Sequence, residues 1–252
     1  MSVKLIYSSP IWLIANGIRQ SHDNHHLSDS YMINGKEKAS CVKCGSVGLW
    51  NIMFGELECL ECGHKVKIEN HIGYKDYDLI KRVGFKHKHE SVLEPSLIVF
   101  EIEASRALLQ ELSRHRIGIS PTVKSTRYTL KELINVDNSD EELSEFLYLT
   151  ENKAIDNFNI QQLRAIQKAL KNSYVKSNDI AKYAIPEAFK FKGQYSMNLR
   201  ALLNLLRLRL SKDALHEFQQ LCADIIDKLP NKYIELVLLN EKIKSNYERI
   251  KN

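Results

Sequence analysis

Arg114-His115-Arg116, the run Ile117 to Lys124, and then Ser125-Thr126-Arg127-Tyr128 make up the stretch on which the reading of this chain turns. Before it, Ala104, Ala107, Leu108 and Leu112 fall at helical spacing and predict a helix over Ala104 to Ser113. Gly118 and Pro121 act as stop signals, which puts Arg114, His115 and Arg116 in the last helical turn. Cations there complement the negative end of the helix dipole. Ser120, Thr122, Lys124, Ser125, Thr126 and Arg127 then supply a dense set of hydroxyl and cationic donors. A loop that holds a phosphate or another polyanion needs such a set. A solvated basic loop has the same composition, so these residues alone leave both readings open.

Arg-His-Arg, a spacer and Ser-x-Arg-Tyr together resemble the signature of the flavin-dependent thymidylate synthases. That family's usual spacer is seven residues, whereas eight separate Arg116 from Ser125. Three further segments extend the resemblance in family order. His89-Glu90-Ser91-Val92-Leu93-Glu94 resembles a His-x-(Ser/Thr)-x-(Leu/Phe)-Glu segment whose hydroxyl residue contacts flavin, the place that Ser91 holds. Pro95 follows where the family commonly has histidine. Ala181-Lys182-x-x-Ile185-Pro186 resembles Ala-Arg-x-x-Leu-Pro, in which the arginine helps bind the nucleotide; Lys182 keeps the charge without the bidentate fork. Asn198, Arg200, Asn204 and Arg209 match Asn-x-Arg-x-x-x-Asn-x-x-x-x-Arg without a gap. Two positions depart from the pattern: Glu111 stands where a glutamine is usual, and Val123 where an acidic residue is usual.

Helical geometry bears on the last motif independently. At about 100° per residue, Arg200, Asn204 and Arg207 share one polar stripe, and Arg209 falls opposite, among Leu202, Leu205 and Leu206. An arginine in an apolar stripe must find an anion or an acceptor, because burying it unpaired is costly. Asp213, one turn on, offers an ordinary salt bridge. By resemblance, Arg209 instead polarises the pyrimidine base.

Cys41-x-x-Cys44 and Cys59-x-x-Cys62 repeat one knuckle, each followed by glycine (Gly45, Gly63). With the β-prone segments Gly48 to Phe54 and Lys65 to Ile68, they read as a zinc ribbon. Four thiolates so spaced can close a tetrahedron around zinc, and glycine permits the tight turn. Fourteen residues lie between the pairs, just under the roughly 15–20 of the usual pattern. Free cysteines or two disulfides are the alternative, disfavoured in a reducing compartment. A four-cysteine site has no open coordination position, so its zinc is structural. Cys222, between Leu221 and Ala223, reads as inert packing.

Composition sets the outer bounds. The 252 residues are 44% apolar, with few glycines and prolines, enough for one large domain or a domain with an insertion. A net charge of +5 suits anionic ligands and is too small to argue nucleic-acid binding. No apolar run approaches the roughly 18 residues of a membrane span, and Met1-Ser2-Val3-Lys4 opens no signal-peptide pattern. A soluble, cytoplasmic protein is therefore expected. Val3 to Ser9 and Leu97 to Ile102 read as strands. Ile11 to Gln20, Asp76 to Lys86, Asn157 to Asn172, Asp179 to Ala184, Ala214 to Ile226 and Tyr233 to Ile250 read as helices. Lys131 to Asn152 is acidic and helical in its second half, and His22, His25 and His26 lie in a polar stretch and read as surface or substrate-loop residues.

The expected fold is α/β (α+β): a mixed sheet flanked by long helices, with residues 33–69 as an inserted zinc ribbon and 1–32 with 70–252 as the catalytic domain. The resemblance implies conversion of dUMP to dTMP, with methylenetetrahydrofolate as one-carbon donor and NADPH-reduced FAD as hydride source. It implies that FAD rests on Ser91, Arg114, His115, Arg116, Asn198, Arg200 and Asn204. The nucleotide would lie against Arg114, Ser125, Thr126, Arg127, Lys182 and Arg209. The family is homotetrameric with sites shared between subunits, so Arg114 and Arg209 need not meet within one chain, and it requires no nucleophilic thiol. An enzyme alkylating a different pyrimidine nucleotide, or a catalytically lapsed nucleic-acid-binding ribbon protein, remains as the alternative.

Overall fold

The computed structural model describes every residue from Met1 to Asn252. A four-stranded antiparallel sheet in the order β1-β5-β7-β6 forms its centre, from β1 (Ser2–Ser8), β5 (Ile98–Ser105), β6 (Ile119–Val123) and β7 (Lys190–Met197). β5 and β7 pair in continuous register from Ile98↔Met197 to Ser105↔Lys190. That register aligns Ile98, Phe100, Ile102 and Ala104 with Met197, Tyr195, Gly193 and Phe191 on one buried face. Helices α1 (Trp12–Gln20), α9 (Leu199–Arg209) and α10 (His216–Lys228) close the core over it through Ile14, Leu202, Leu206, Phe218, Leu221 and Ile225, all fully buried.

Strand β7 is absent from the sequence reading, although it carries a period-two signal: Phe191, Gly193, Tyr195 and Met197 are buried while Lys192 and Gln194 are exposed. Its lysines, glutamine and glycine dilute the apolar content by which strands are recognised. The helix expected over Ala104 to Ser113 is corrected for a related reason. Ala104 and Ser105 pair with Phe191 and Lys190, so the strand ladder claims them. Ser105 then caps α4 (Arg106–Leu112), its Oγ accepting from the Leu108 N–H at 3.1 Å. Helix α4 ends at Leu112, so Arg114, His115 and Arg116 lie beyond its last turn rather than in it. The loop expected after them is the edge strand β6, where Pro121 is tolerated because an edge offers an unpaired side.

A second, smaller core lies beside the sheet. It joins α5 (Thr126–Asn135), α6 (Asp140–Ser144), α7 (Lys153–Lys171) and α8 (Asn178–Ala181) through Leu130, Leu133, Leu143, Leu163, Ile166 and Ala181, with Phe189 packed among them. Helix α5 begins ahead of the segment read as acidic, because Ser125 caps it. The helix expected over Tyr233 to Ile250 is two: α11 (Asn231–Val237) and α12 (Glu241–Lys251). Asn240 separates them, its Oδ1 accepting from the Ile243 N–H at 3.2 Å. No helix is long and apolar enough to cross a membrane.

The cysteine module has three strands where two were read: β2 (Trp50–Met53), β3 (Glu56–Cys59) and β4 (Lys65–Lys67), antiparallel in that order. Its own core is Ala39, Cys41, Trp50, Leu57 and Cys59, with Tyr31 of the one-turn helix α2 (Tyr31–Asn34) packed against it. A buried polar network ties the module to α1 and to α3 (Tyr74–Ile80). Asp76 accepts from Arg19, from Ser28 Oγ at 2.5 Å and from Ser30 Oγ at 2.6 Å. Asp29 accepts from Ser40 Oγ and from the N–H groups of Lys75 and Asp76, the free donors at the start of α3. His71 Nδ1 accepts from the Tyr31 N–H at 3.0 Å and its Nε2 donates to the Ser40 carbonyl at 3.1 Å. Burial pushes its pKa down to about 4, so the neutral ring satisfies both sides. Past α3 the chain continues in a π-helical turn, Lys81–Lys86, and then a 3₁₀ turn, Glu90–Leu93.

Candidate active site

Helix α9 organises the site. Asn198 caps it, Oδ1 accepting from the Ala201 N–H at 2.8 Å, and Leu199, Leu202, Leu203, Leu205 and Leu206 are fully buried beneath it. Arg200, Asn204 and Leu208 remain exposed and define an open arc. Segments from two other parts of the chain flank that arc. On one side runs the segment after α4. Gly118 adopts φ +71° there, and a Cβ on it would lie 2.8 Å from Asn198 Nδ2 and 3.0 Å from the Ala201 methyl. Only glycine fits that approach.

At the far end of the same segment His115 meets Arg209. The Nε–H of Arg209 donates to His115 Nε2 at 2.9 Å, and its Nη1 lies 2.8 Å from Glu111 Oε2. The guanidinium also sits over the Phe218 ring, 5.0 Å from its centroid, and His115 meets the same ring edge-on. Glu111 Oε1 lies 3.4 Å from Arg114 Nη1, so one carboxylate joins Arg114 and Arg209 within a single chain. Asp213, the ordinary partner offered by spacing, accepts only from Ser211. Burial, with the Arg209 cation second, holds the His115 pKa below the usual imidazole range. His115 is therefore neutral, with its proton on Nδ1, since Nε2 accepts from Arg209.

On the other side of the arc the 3₁₀ turn Glu90–Leu93 carries Ser91, exposed. It is pinned to α9 by Glu94, 2.5 Å from Arg200 Nη1, and by Glu90, bound to Arg207. Ser91, Asn198, Arg200, Asn204, Arg114, His115 and Arg209 thus surround one helix. Arg116 is exposed next to it and has no ion pair.

The remaining expected residues form a separate group. Ser125 is the N-cap of α5, with Thr126 and Arg127 in its first turn. Arg127 Nε lies 3.4 Å from Asp179 at α8, and Asn178 donates to the Arg127 carbonyl at 3.0 Å. Lys182 follows directly, its ammonium 5.8 Å from the centre of the Tyr183 ring. A cavity of about 390 Å³ opens here, lined by Arg127, Tyr128, Lys131, Lys176 and Asn178 among others. A helix N-terminus ringed by lysines and an arginine is suited to a phosphate. No hydrogen bond or ion pair joins this group to the α9 group.

The four knuckle cysteines converge. Their sulfurs all lie within 4.8 Å of one another, with Cys41–Cys62 and Cys44–Cys59 at 3.6 Å. Sulfurs about 2.3 Å from a tetrahedral zinc sit about 3.8 Å apart, whereas a disulfide needs about 2.05 Å. The four thiols are unbridged, and their spacing fits a tetrahedral zinc set. Gly45 and Gly63 take φ +80° and +67°, as knuckle turns require. Cys222 is fully buried, and burial pushes its thiol pKa up, away from nucleophilic chemistry. His22, His25 and His26 join no metal-type cluster.

Comparison with known proteins gives a consistent result. The profile of the family described as "Thymidylate synthase complementing protein" matches residues 18–233. The flavin-dependent thymidylate synthase of Wolinella succinogenes is 42% identical over 179 residues, covering 68% of this chain and 84% of that protein. That of Campylobacter jejuni is 44% identical over 166 residues, covering 64% and 79%. A crystal structure of thymidylate synthase X from Helicobacter pylori with FAD and dUMP superposes with a TM-score of 0.73 at 32% identity, covering 97% of this chain and all of that one.

Proposed function

The chain belongs to the thymidylate synthase complementing protein family, the flavin-dependent thymidylate synthases, and from that premise we propose that it converts dUMP to dTMP with methylenetetrahydrofolate as one-carbon donor. The observation that carries this reading is α9 itself, which brings the whole motif together: Asn198 at its cap, Arg200 and Asn204 on the open arc, and Arg209 bonded to His115 beside it. FAD reduced by NADPH would supply the hydride that the reaction needs. The residues around the arc fit a flavin. Asn204 and Arg116 are polar groups without side-chain partners, Leu208 offers apolar surface, and Gly118 keeps the backbone free of a Cβ. Ser91, Arg114, His115, Arg116, Asn198, Arg200 and Asn204 would hold it.

Arg209 is the catalytic residue of this reading. Its guanidinium polarises a carbonyl of the pyrimidine and stabilises the charge that builds there as the ring carbon attacks. Neutral His115 fixes the guanidinium through Nε without adding a second positive charge. Glu111 holds the remaining face of Arg209 and the Arg114 fork until a ligand contributes its own acceptors. Ser125, Thr126, Arg127 and Lys182 bind the nucleotide phosphate at the start of α5. Because they form a group separate from Arg209, a homotetramer with sites shared between subunits accounts for the arrangement.

The ribbon is a structural zinc module inserted over residues 33–69, and the enzyme is cytoplasmic. Flavin retention tests the cofactor assignment: protein mixed with FAD and passed through gel filtration retains a yellow band. Folded protein that retains none contradicts it.

A further inference from the structure

Away from the α9 arc, the π-helical turn Lys81–Lys86 separates two cavities that share Phe85 and Leu239 as a common wall. One, of about 460 Å³, is lined by Asp78, Lys81, Arg82 and Lys86; the other, of about 450 Å³, by Lys88, Glu90, Arg207, Glu241 and Lys242. Both sizes lie in the roughly 300–1,000 Å³ range of ligand pockets. Six cations face three carboxylates along the groove, leaving three positive charges in excess. Two of those carboxylates are already engaged, Asp78 with Lys81 at 3.8 Å and Glu90 with Arg207. Arg82, Lys86, Lys88 and Lys242 have no carboxylate within ion-pair distance, and folding gains nothing from gathering them unpaired.

The backbone here is unusual as well. A π-helical turn is rare and concentrates at functional sites. Lys88 adopts φ +57°, a conformation costly for a residue with a Cβ. Both features hold basic side chains on the groove. Its far end also reaches the flavin arc, because Glu90 and Arg207 line the second cavity while Ser91 is the next residue and Arg207 lies one turn beyond Asn204.

We infer that this groove receives the 2′-phosphoadenosine end of the NADPH that reduces the flavin, an inference that rests on the function proposed above. A dianionic phosphate suits Arg82, Lys86, Lys88 and Lys242. The adenine has an apolar wall in Phe85 and Leu239. A folate polyglutamate tail would use the cations and leave the aromatic wall unused, so the nucleotide is the better fit.

Calorimetry of the FAD-loaded enzyme with 2′,5′-ADP tests this without turnover. Wild type binds the probe, and Arg82→Glu and Lys86→Glu each weaken it on the order of tenfold to a hundredfold, the scale of one charge-assisted contact. The KM for NADPH rises in parallel, while bound FAD and the KM for dUMP stay unchanged. With dithionite as reductant in place of NADPH, both variants form dTMP at the wild-type rate, which separates failure of the groove from failure of the proposed reaction. Unaltered 2′,5′-ADP affinity in both variants overturns the inference. So does a rise confined to the KM for polyglutamylated methylenetetrahydrofolate.

Discussion

Arg209 donates its Nε–H to Nε2 of His115, 2.9 Å away and 94 residues earlier in the chain. The contact joins the end of α9 to the segment beyond α4, and it leaves the guanidinium tip for Glu111 or for a ligand. The side chain of Arg209 is 20% exposed, so it is accessible to a substrate without being free to wander.

Arg209→Lys tests what that geometry is for. Lysine keeps the charge but cannot engage His115 and a ligand through a planar fork. Turnover is expected to fall by a factor on the order of 10²–10³, the scale of one electrostatic donor. Stability should change by about 1 kcal/mol, since the Glu111 pair is partly solvated. Asp213→Asn should leave both unchanged, because Asp213 meets only Ser211. Comparing dTMP formation and thermal midpoints for the two variants checks this, and near-normal turnover of Arg209→Lys removes the catalytic assignment.

The His115–Arg209 contact also predicts a pH dependence. In the folded protein burial and Arg209 hold His115 below the usual imidazole range, whereas the unfolded chain takes up the proton near pH 6.5. Its contribution to stability is thus present above about pH 6.5 and is lost as pH falls through the folded-state pKa. A glutamine side chain at this position would accept from Arg209 without titrating. The His115→Gln variant should therefore lose less thermal stability than wild type between neutral pH and pH 5. Identical losses would show that His115 does not titrate against this contact.

Asp76 is fully buried and accepts from Arg19, Ser28 and Ser30. Asp76→Ala leaves the Arg19 cation, only 8% exposed, without its partner. The expected cost is about 3–5 kcal/mol, read from denaturant unfolding. A loss below about 1 kcal/mol would mean that the network does not anchor the ribbon to α1 and α3.

The ribbon should contain one zinc per chain. Cys44→Ser removes a ligand from an exposed corner of the site, so the damage should stay local. Trp50, buried in the ribbon core and bonded to the Ala39 carbonyl, reports it through a red-shifted emission while the flavin site stays intact. Metal-free protein purified without chelator would contradict the zinc assignment, and global unfolding of Cys44→Ser would contradict an inserted module.

What the sequence made legible follows from where the signals lie. The knuckle cysteines and the α9 motif could be read because their chemistry depends on short local spacing. Strand β7 could not be read from apolar content, since its partners on β5 and β6, far off in sequence, supply the burial that Lys192 and Gln194 hide. The same long-range ladder took Ala104 and Ser105 from the expected helix and carried Arg114 past its end. Glu111 was visible as a departure from the family pattern. Its bridge between Arg114 and Arg209 was not, because it depends on α4 and α9 meeting in space.

The most direct test of the account is the reaction itself. Purified protein is incubated anaerobically with FAD, dUMP, methylenetetrahydrofolate and NADPH, and the nucleotide products are separated. The account predicts dTMP, formed with all four components present and lost when dUMP, methylenetetrahydrofolate or NADPH is left out. Folded, FAD-loaded protein that makes no dTMP under these conditions would contradict it.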